Sequence, residues 1–547
     1  MAREIFFATQ AMKTCLTLFV LVCSLAAEAH IGSPNVFFEG KAGEYLLRVV
    51  IRPPQVVPGL AEISVRVQGE PVQRVTVLPV FGKAGREGSP LPDEAKLVRG
   101  ETNLYSAALW LMKPGAYSVD VTIEGSRGKG TLIVPVNSMA TNTRPMSRGF
   151  GIMLAGLGIV LVLGGLTIAG AAFGESRLDP GALPTKKDRW RGHAAMALAA
   201  GILALMLFGG KKWWDFEDSN YRNNSLYKAL PVSAQVRGER DQLILTIKVD
   251  ASERRGQWTP LIPDHGKLMH LFLIRAGAPG AFAHLHPTQR NGAEFEVPLP
   301  PLPAGQYHVY ADVTHEDGFA ETLTATAEIP SASLAMQKLW LGNSAEPICS
   351  VAVAQRLAAN LFFAPDLDDS WQIDSAVGAS LSERKDSAQR IVDASGGYRM
   401  TWENSGPLIE NHDLSLRFKL LTPDNKPALI EPYMGMLGHA VVYRQDGAVF
   451  AHVHPVGTFS MAAQEFFFKG NPSKPATLNP QPGFLSVDQP TLGPGLHDSH
   501  TNAVGTAGEV SFPYAFPKPG SYRIWVQTRS QGRILTGVFD ATVAAAR

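Results

Sequence analysis

Over most of the chain, apolar and polar residues alternate one by one, as they do on a strand with one face buried. Tyr45-Leu-Leu-Arg-Val-Val-Ile51, Leu243-Ile-Leu-Thr-Ile-Lys-Val249 and Leu414-Ser-Leu-Arg-Phe-Lys-Leu420 show the pattern. Three stretches break it. The first is N-terminal: Arg3 and Lys13, an apolar run from Cys15 to Leu25, then Ala27-Glu28-Ala29. This reads as a signal peptide over 1–29, with Met12 an alternative start. The second is Phe150 to Phe173, free of charge over its whole length and long enough to cross a bilayer core. The third is shorter, 193–210, flanked by Trp190, Trp213 and Trp214 at interfacial positions.

The loop 174–192 holds Arg177, Lys186, Lys187, Arg189 and Arg191, while the outer flanks hold Arg144, Arg148, Lys211 and Lys212. Basic residues stay on the cytoplasmic side. The chain is therefore expected in the inner, cytoplasmic membrane, with both large polar regions on its periplasmic or extracellular side.

A turn that delivers a tyrosine into a late strand recurs: Pro114-Gly-Ala-Tyr117, Ala304-Gly-Gln-Tyr307 and Pro519-Gly-Ser-Tyr522. Immunoglobulin-like sandwiches place a tyrosine corner this way. The expected fold class is mainly β, with three Ig-like β-sandwich domains at 30–145, 229–330 and 396–547. The two apolar helices form a transmembrane hairpin, and 331–395 is a linker with no assigned pattern.

The last two units share an internal repeat. Met269-His270-Leu-Phe-Leu-Ile-Arg275 leads to Phe282-Ala-His284-Leu-His286-Pro287. Gly438-His439-Ala-Val-Val-Tyr-Arg444 leads to Phe450-Ala-His452-Val-His454-Pro455. Asp446-Gly447 is a two-residue hairpin turn. Folding about it sets Val441 opposite His452 and His439 opposite His454. Residues two apart on a strand share a face, so His439, His452 and His454 converge. The same parity, centred on Ala278, brings His270, His284 and His286 together. Each trio is within reach of one metal ion with bonds of about 2 Å.

Further ligands are expected just before the first strand of each repeat, where His265 aligns with Met434, and Met436 lies close. Met461 is another thioether near by. Three imidazoles plus water would satisfy zinc, but soft thioethers and an extracytoplasmic site place copper ahead of it. His308, His315, His412 and the pair His497/His500 are weaker candidates. The plainer reading of all of them is strand or loop histidines hydrogen-bonded at a sheet end, with Met filling gaps in the core.

Composition narrows the partners. With 50 Lys+Arg against 49 Asp+Glu the chain lacks the basic field that nucleic acid requires. After signal cleavage Cys349 stands alone, so no internal disulfide forms, and His30 becomes the first residue, able to offer an amine and an imidazole to copper.

The Pro-Gly-x-Tyr strand entry resembles that of YtkA-like and FixH-like extracytoplasmic domains, and Ala29-His30 is similar to the start of CopC-type copper proteins. The segment Met436-Leu-Gly-His439 through His452-Val-His454-Pro455 resembles a His/Met cluster of bacterial secreted metal-handling proteins. The resemblance implies copper binding. The expected function is a membrane-tethered extracytoplasmic copper-binding protein for sequestration, delivery or sensing, serving a membrane transporter or oxidase. A three-histidine metalloenzyme is one alternative, although the chain has no H-E-x-x-H and no G-x-S-x-G. An Ig-like scaffold that binds a protein partner is the other.

Overall fold

The computed structural model describes residues 30–31, 35–144, 146–179, 181–239, 242–250, 258–277, 279–331, 365–374, 391–469 and 508–546. The signal segment, Ala278, Cys349, His497 and His500 lie outside the described residues.

The alternating segments pair into sheets that stack two by two. In the first unit a sheet built on Val36–Ala42, Tyr45–Arg52, Gly59–Gln68 and Leu104–Leu111 faces one built on Arg74–Phe81, Gly115–Gly125 and Gly128–Ser138. Leu47, Val49 and Ile51 from one and Val77, Val119 and Val121 from the other meet in its core. The second unit sets Val232–Glu239, Gln242–Val249, Thr288–Asn291 and Glu294–Pro298 against a five-stranded sheet. That sheet runs in the order Ala320–Ile329, Gly305–Thr314, His270–Arg275, Ala281–Leu285, Ser370–Ile373. Its edge strand thus comes from the segment the sequence left as a linker. In the third unit the strands Ile391–Asp393, Arg399–Trp402, Leu414–Leu421 and Glu509–Tyr514 face the sheet of Val449–Val453, His439–Arg444, Gly520–Ser530 and Arg533–Ala544. His30–Ile31 joins that last sheet, parallel to Val449–Phe450. The start of the described chain therefore pairs with a sheet of the third unit and with neither sheet of the sandwich that follows it in sequence.

All three tyrosine corners form. The Tyr117 hydroxyl accepts from Lys113 N at 3.1 Å, Tyr307 donates to Pro303 O at 2.7 Å and Tyr522 donates to Lys518 O at 2.6 Å. Each closes on the residue four earlier, and each follows a glycine at φ 133, 136 or 134. That backbone region is open to glycine alone at low cost, which explains why the turn residue repeats.

Helices α1 (Arg148–Glu175) and α2 (Lys186–Asn220) are both long and apolar enough to cross a membrane. Both outrun their expected spans. Ser147 caps α1, and Thr185 with Asp188 forms a capping box that starts α2 inside the basic loop. At the far end Lys211–Asp215 and Arg222–Asp218 pairs carry the helix beyond its apolar part. The two helices touch through small residues: a Cβ on Gly192 would lie 2.9 Å from Gly170 O and 3.5 Å from Gly174 Cα. Close backbone approach of this kind joins helices in lipid.

The second and third units pack face to face through their histidine-bearing sheets. Leu271 and Leu273 point into their own sandwich, while Phe272 and Ile274 point out of it, into a shared core with Val441, Tyr443, Phe450 and Trp525. Phe282 stacks on Trp525 at 4.7 Å, and Tyr310 on Phe450 at 4.1 Å. Arg523 crosses this interface to Asp374 at 2.8 Å. The first unit closes the assembly. Phe38 stacks on Phe459, Glu39 N donates to Val456 O at 2.9 Å, and Gln464 on the short helix α3 (Met461–Lys469) donates to Ile133 O at 2.8 Å.

Tyr307→Phe deletes one corner hydrogen bond and is expected to cost about 1 kcal/mol in denaturant unfolding. Phe282→Ala, which empties the interface stack, is expected to cost about 3–5 kcal/mol. A smaller loss for Phe282→Ala than for Tyr307→Phe would contradict the packing described.

Candidate metal centre

Strand parity decides where the histidines go. Leu271 pairs with Leu285 and Ala440 with Val453, so His270 stands opposite His286 and His439 opposite His454. The inward residues of each strand fill the sandwich, which leaves the histidines on the outer face, where the other unit covers them. His270, His284, His286, His439 and His454 are buried. In each trio one nitrogen per ring falls within 4.8 Å of the others.

The two trios also face each other. Ring centroids of His270 and His284 are 5.5 Å apart within one trio, while His270 lies 5.6 Å from His452 and His284 lies 6.0 Å from His439 across the interface. The open ends of the two hairpins thus lie side by side, and the two trios adjoin in one cluster.

Each ring sets one nitrogen against an oxygen. His270 Nε2–H donates to Asp264 O at 3.1 Å and His439 Nε2–H to Tyr433 O at 3.2 Å. His284 Nδ1–H donates to Gln527 Oε1 at 3.0 Å, His286 Nδ1–H to Asp369 Oδ1 at 3.0 Å, His452 Nδ1–H to Asp312 Oδ2 at 3.1 Å and His454 Nδ1–H to Phe459 O at 3.2 Å. These tautomers are assigned from the acceptors. They leave a lone pair on the second nitrogen of all six rings, directed into the trio.

The result fits a cation. His270 Nδ1 and His284 Nε2 lie 3.2 Å apart, and His439 Nδ1 and His452 Nε2 lie 3.1 Å apart. A tetrahedral ion with bonds of about 2.0 Å keeps its ligand atoms about 3.3 Å apart. The third ligand atoms, His286 Nε2 and His454 Nε2, are buried with no hydrogen-bond partner. A histidine held by an oxygen at one nitrogen and open at the other is the usual state of a metal ligand.

The orienting groups are exchanged between the units. Asp312 pairs with His270 in its own sheet but reaches His452 of the other. Gln527 pairs with His439 but reaches His284, and its amide is fixed by donating to Ser370 Oγ. Each trio is therefore aimed partly by its neighbour's sheet.

Burial sets the charge. Desolvation, followed by repulsion from neighbouring rings, lowers His270 to about 3 and His454 to about 3; for His286, lowered to about 4, desolvation is again the chief cause. His284, His439 and His452 are likewise held well below the ordinary imidazole range. Burial acts oppositely on the carboxyls, raising Asp312 to about 7 and Asp369 well above its usual range. The rings are accordingly neutral, and ready to donate lone pairs, at neutral pH.

His265 and Met434 do occupy equivalent places, left-handed turn residues at φ 52 and φ 50. His265 lies over the other unit's trio, 5.1 Å from His454 and 5.6 Å from His439 between ring centroids, and 6.1 Å from His270. The thioethers sit in apolar surroundings: Met434 with Tyr433 and Ile534, Met436 in the first sandwich's core with Val456 and Phe459, and Met461 against that same core. His308 is beside Tyr443 and Tyr310, towards the interface's opposite end. His315 is buried and bonded to Glu321 at 3.0 Å, and His412 is exposed. Three contributors went unread in the sequence: Asp312, Gln527 and Asp369. Asp312 and Gln527 each lie five residues after a corner tyrosine, a polar residue at one register of both repeats, and that is the signal that marks them.

The model of a family described as a domain of unknown function (DUF8832) matches residues 229–331 and 392–482, which take in both histidine trios but not the last three strands of the third unit. Comparison with curated proteins gives no match. Among solved structures, similarity extends to an endo-fucoidan hydrolase of glycoside hydrolase family 107 (7% identity, 90% of this chain, 43% of that one, TM-score 0.13). It extends also to dimeric latent PorU from Porphyromonas gingivalis (8% identity, 94% and 34%, TM-score 0.14). A biofilm-associated protein BSP domain is a third (8% identity, 98% and 71%, TM-score 0.13). The chain thus spans less than half the length of the hydrolase and of PorU.

Gln527→Ala frees the His284 ring in the opposite unit and is expected to weaken metal binding there about 10–100-fold, read by competition with a chelator. An equal effect at both trios, or none, would refute the exchange. For the metal-free protein, all six lowered rings bind more protons unfolded than folded below about pH 6.5, and for His270, His454 and His286 the window extends down to folded values of about 3, 3 and 4. The raised carboxyls of Asp312 and Asp369 oppose this, but two groups do not offset six. Stability should be full above pH 6.5 and fall as the pH drops through that window, measured as Tm between pH 7.5 and 5.

Proposed function

We propose that this chain is a membrane-tethered, extracytoplasmic metal-binding protein that holds copper for sequestration, delivery or sensing. The observation that carries the reading is the convergence of six neutral, oriented imidazole lone pairs in a buried cluster, including the unpartnered Nε2 atoms of His286 and His454. Copper is favoured over zinc by charge. Burying a singly charged ion among neutral ligands costs less than burying a doubly charged one, and imidazole serves copper in either oxidation state. The carboxyls of Asp312 and Asp369, ionising behind their histidines, would compensate the charge of a bound ion.

Support for the tether is the pair of helices α1 and α2 and the basic loop between them, which under the positive-inside rule leaves all three sandwiches outside. A tether confines the centre to the membrane surface and so raises its effective concentration towards a membrane transporter or oxidase. The resemblance of the sandwiches to YtkA-like, FixH-like and CopC-type domains belongs to this same reading.

The full chain, purified in detergent and loaded under reducing conditions with copper or aerobically with zinc, is expected to retain two copper ions per chain after desalting, by elemental analysis. His286→Ala and His454→Ala should each remove one equivalent. Retention of zinc at two equivalents with no copper would overturn the metal assignment, and retention of no metal would overturn the function.

A further inference from the structure

The three sandwiches do not close completely on one another. Between them lies a cavity of about 590 Å³ whose wall takes residues from all three units. At its inner end are His270, His452 and His454, with Asp312 beside them. At its outer end are the exposed residues Gln55, Thr141, Asn142 and Ala229. Those outer residues flank the two long helices. Asn142 precedes the start of α1 at Arg148, and Ala229 follows the end of the π-helical turn Tyr221–Ser225 that continues α2. Tyr221, on that segment, donates its hydroxyl to Asn142 O at 3.2 Å, so the two chain ends leaving the hairpin meet at the rim.

We infer that this cavity is the path by which the metal ion passes between the membrane-proximal surface and the histidine cluster. The inference rests on the metal-binding reading above and adds the route. Three features carry it. The charged side chains of the wall, among the described residues that line it, are Asp264, Asp312 and Glu321, with no Lys or Arg. The carboxylates of Asp264 and Glu321 in a low-dielectric cleft focus a negative potential that concentrates cations. Second, His454 lies on the wall, is only 4% exposed, and its Nε2 has no hydrogen-bond partner, so a ligand atom waits at the inner end. Third, the size suits a hydrated ion. At about 30 Å³ per water the cavity has room for roughly twenty, so an ion enters with its shell and exchanges it for imidazoles only at the end. The hydroxyls of Thr314, Thr324 and Ser460 along the way supply transient oxygen contacts.

The exit of the hairpin is itself part of the wall. Tyr227 donates its hydroxyl to Glu321 Oε2 at 2.8 Å, and Glu321 Oε1 accepts from His315 at 3.0 Å. The path thus begins where a membrane partner that hands over or receives the ion would dock.

The test uses the full chain in lipid nanodiscs, mixed rapidly with cobalt(II) alone and followed by its visible ligand-field absorption. Asn142→Arg places a cation at the exposed rim, and Thr324→Trp fills the middle of the cavity. Both should leave the final cobalt equivalents unchanged and slow uptake about tenfold. The Asn142→Arg effect should disappear in about 1 M salt, where the screening length falls to about 3 Å, while the Thr324→Trp effect should persist. Uptake by Asn142→Arg at the wild-type rate in low salt would overturn the route even if Thr324→Trp failed to fold. Wild-type protein that takes up no cobalt would instead overturn the metal-binding reading beneath it.

Discussion

The constraint on which the structure depends is that two sheets bury both of their faces. A sandwich ordinarily covers one face of each sheet and leaves the other to water. In the second and third units the strands His270–Arg275 and His439–Arg444 have a sandwich core on one side and the partner unit on the other. Aromatic contacts such as Phe282–Trp525 and Tyr310–Phe450 hold the middle of this interface apart from water. Nitrogen atoms placed at its end then have few partners other than one another and the oxygens set there for them.

That setting turns six ordinary side chains into a site. In water an imidazole finds a hydrogen bond at each nitrogen, and its two tautomers interchange freely. In the interface, backbone carbonyls of Asp264, Tyr433 and Phe459 and the side chains of Gln527, Asp312 and Asp369 claim one nitrogen per ring. The same desolvation keeps the rings neutral and pushes the carboxyls behind them towards the protonated form. Because Asp312 and Gln527 act across the interface, the geometry of each trio and the docking of the two units are one property: neither can be loosened without the other.

Much of this was legible in the chain. The alternating pattern, the glycine–tyrosine turn and the Asp446-Gly447 hairpin are local signals, each fixed by backbone preferences over a few residues, and they yield strands, sandwiches and the face on which each histidine lies. The equivalence of His265 and Met434 could likewise be counted along the repeat, and both adopt the same left-handed turn. What the repeat could not reveal is that the two hairpins meet. Docking of one sheet on another depends on side-chain shape over a whole face, and no short-range pattern encodes it. The segment 331–395 illustrates the same limit: Asp369 and Ser370 matter through an edge strand that pairs at long range with Ala281–Leu285.

By itself, then, the amino-acid order determined the strand content, the helical hairpin and the membership of each histidine trio, because those follow from periods of two and of 3.6 residues and from turn chemistry. Tertiary structure alone decided that the trios share one buried cluster, that His265 lies over the other unit's rings while Met436 lies in the first sandwich, and which ring nitrogen faces inward. These are matters of which surfaces exclude water together, and they are settled only when residues hundreds of positions apart come into contact.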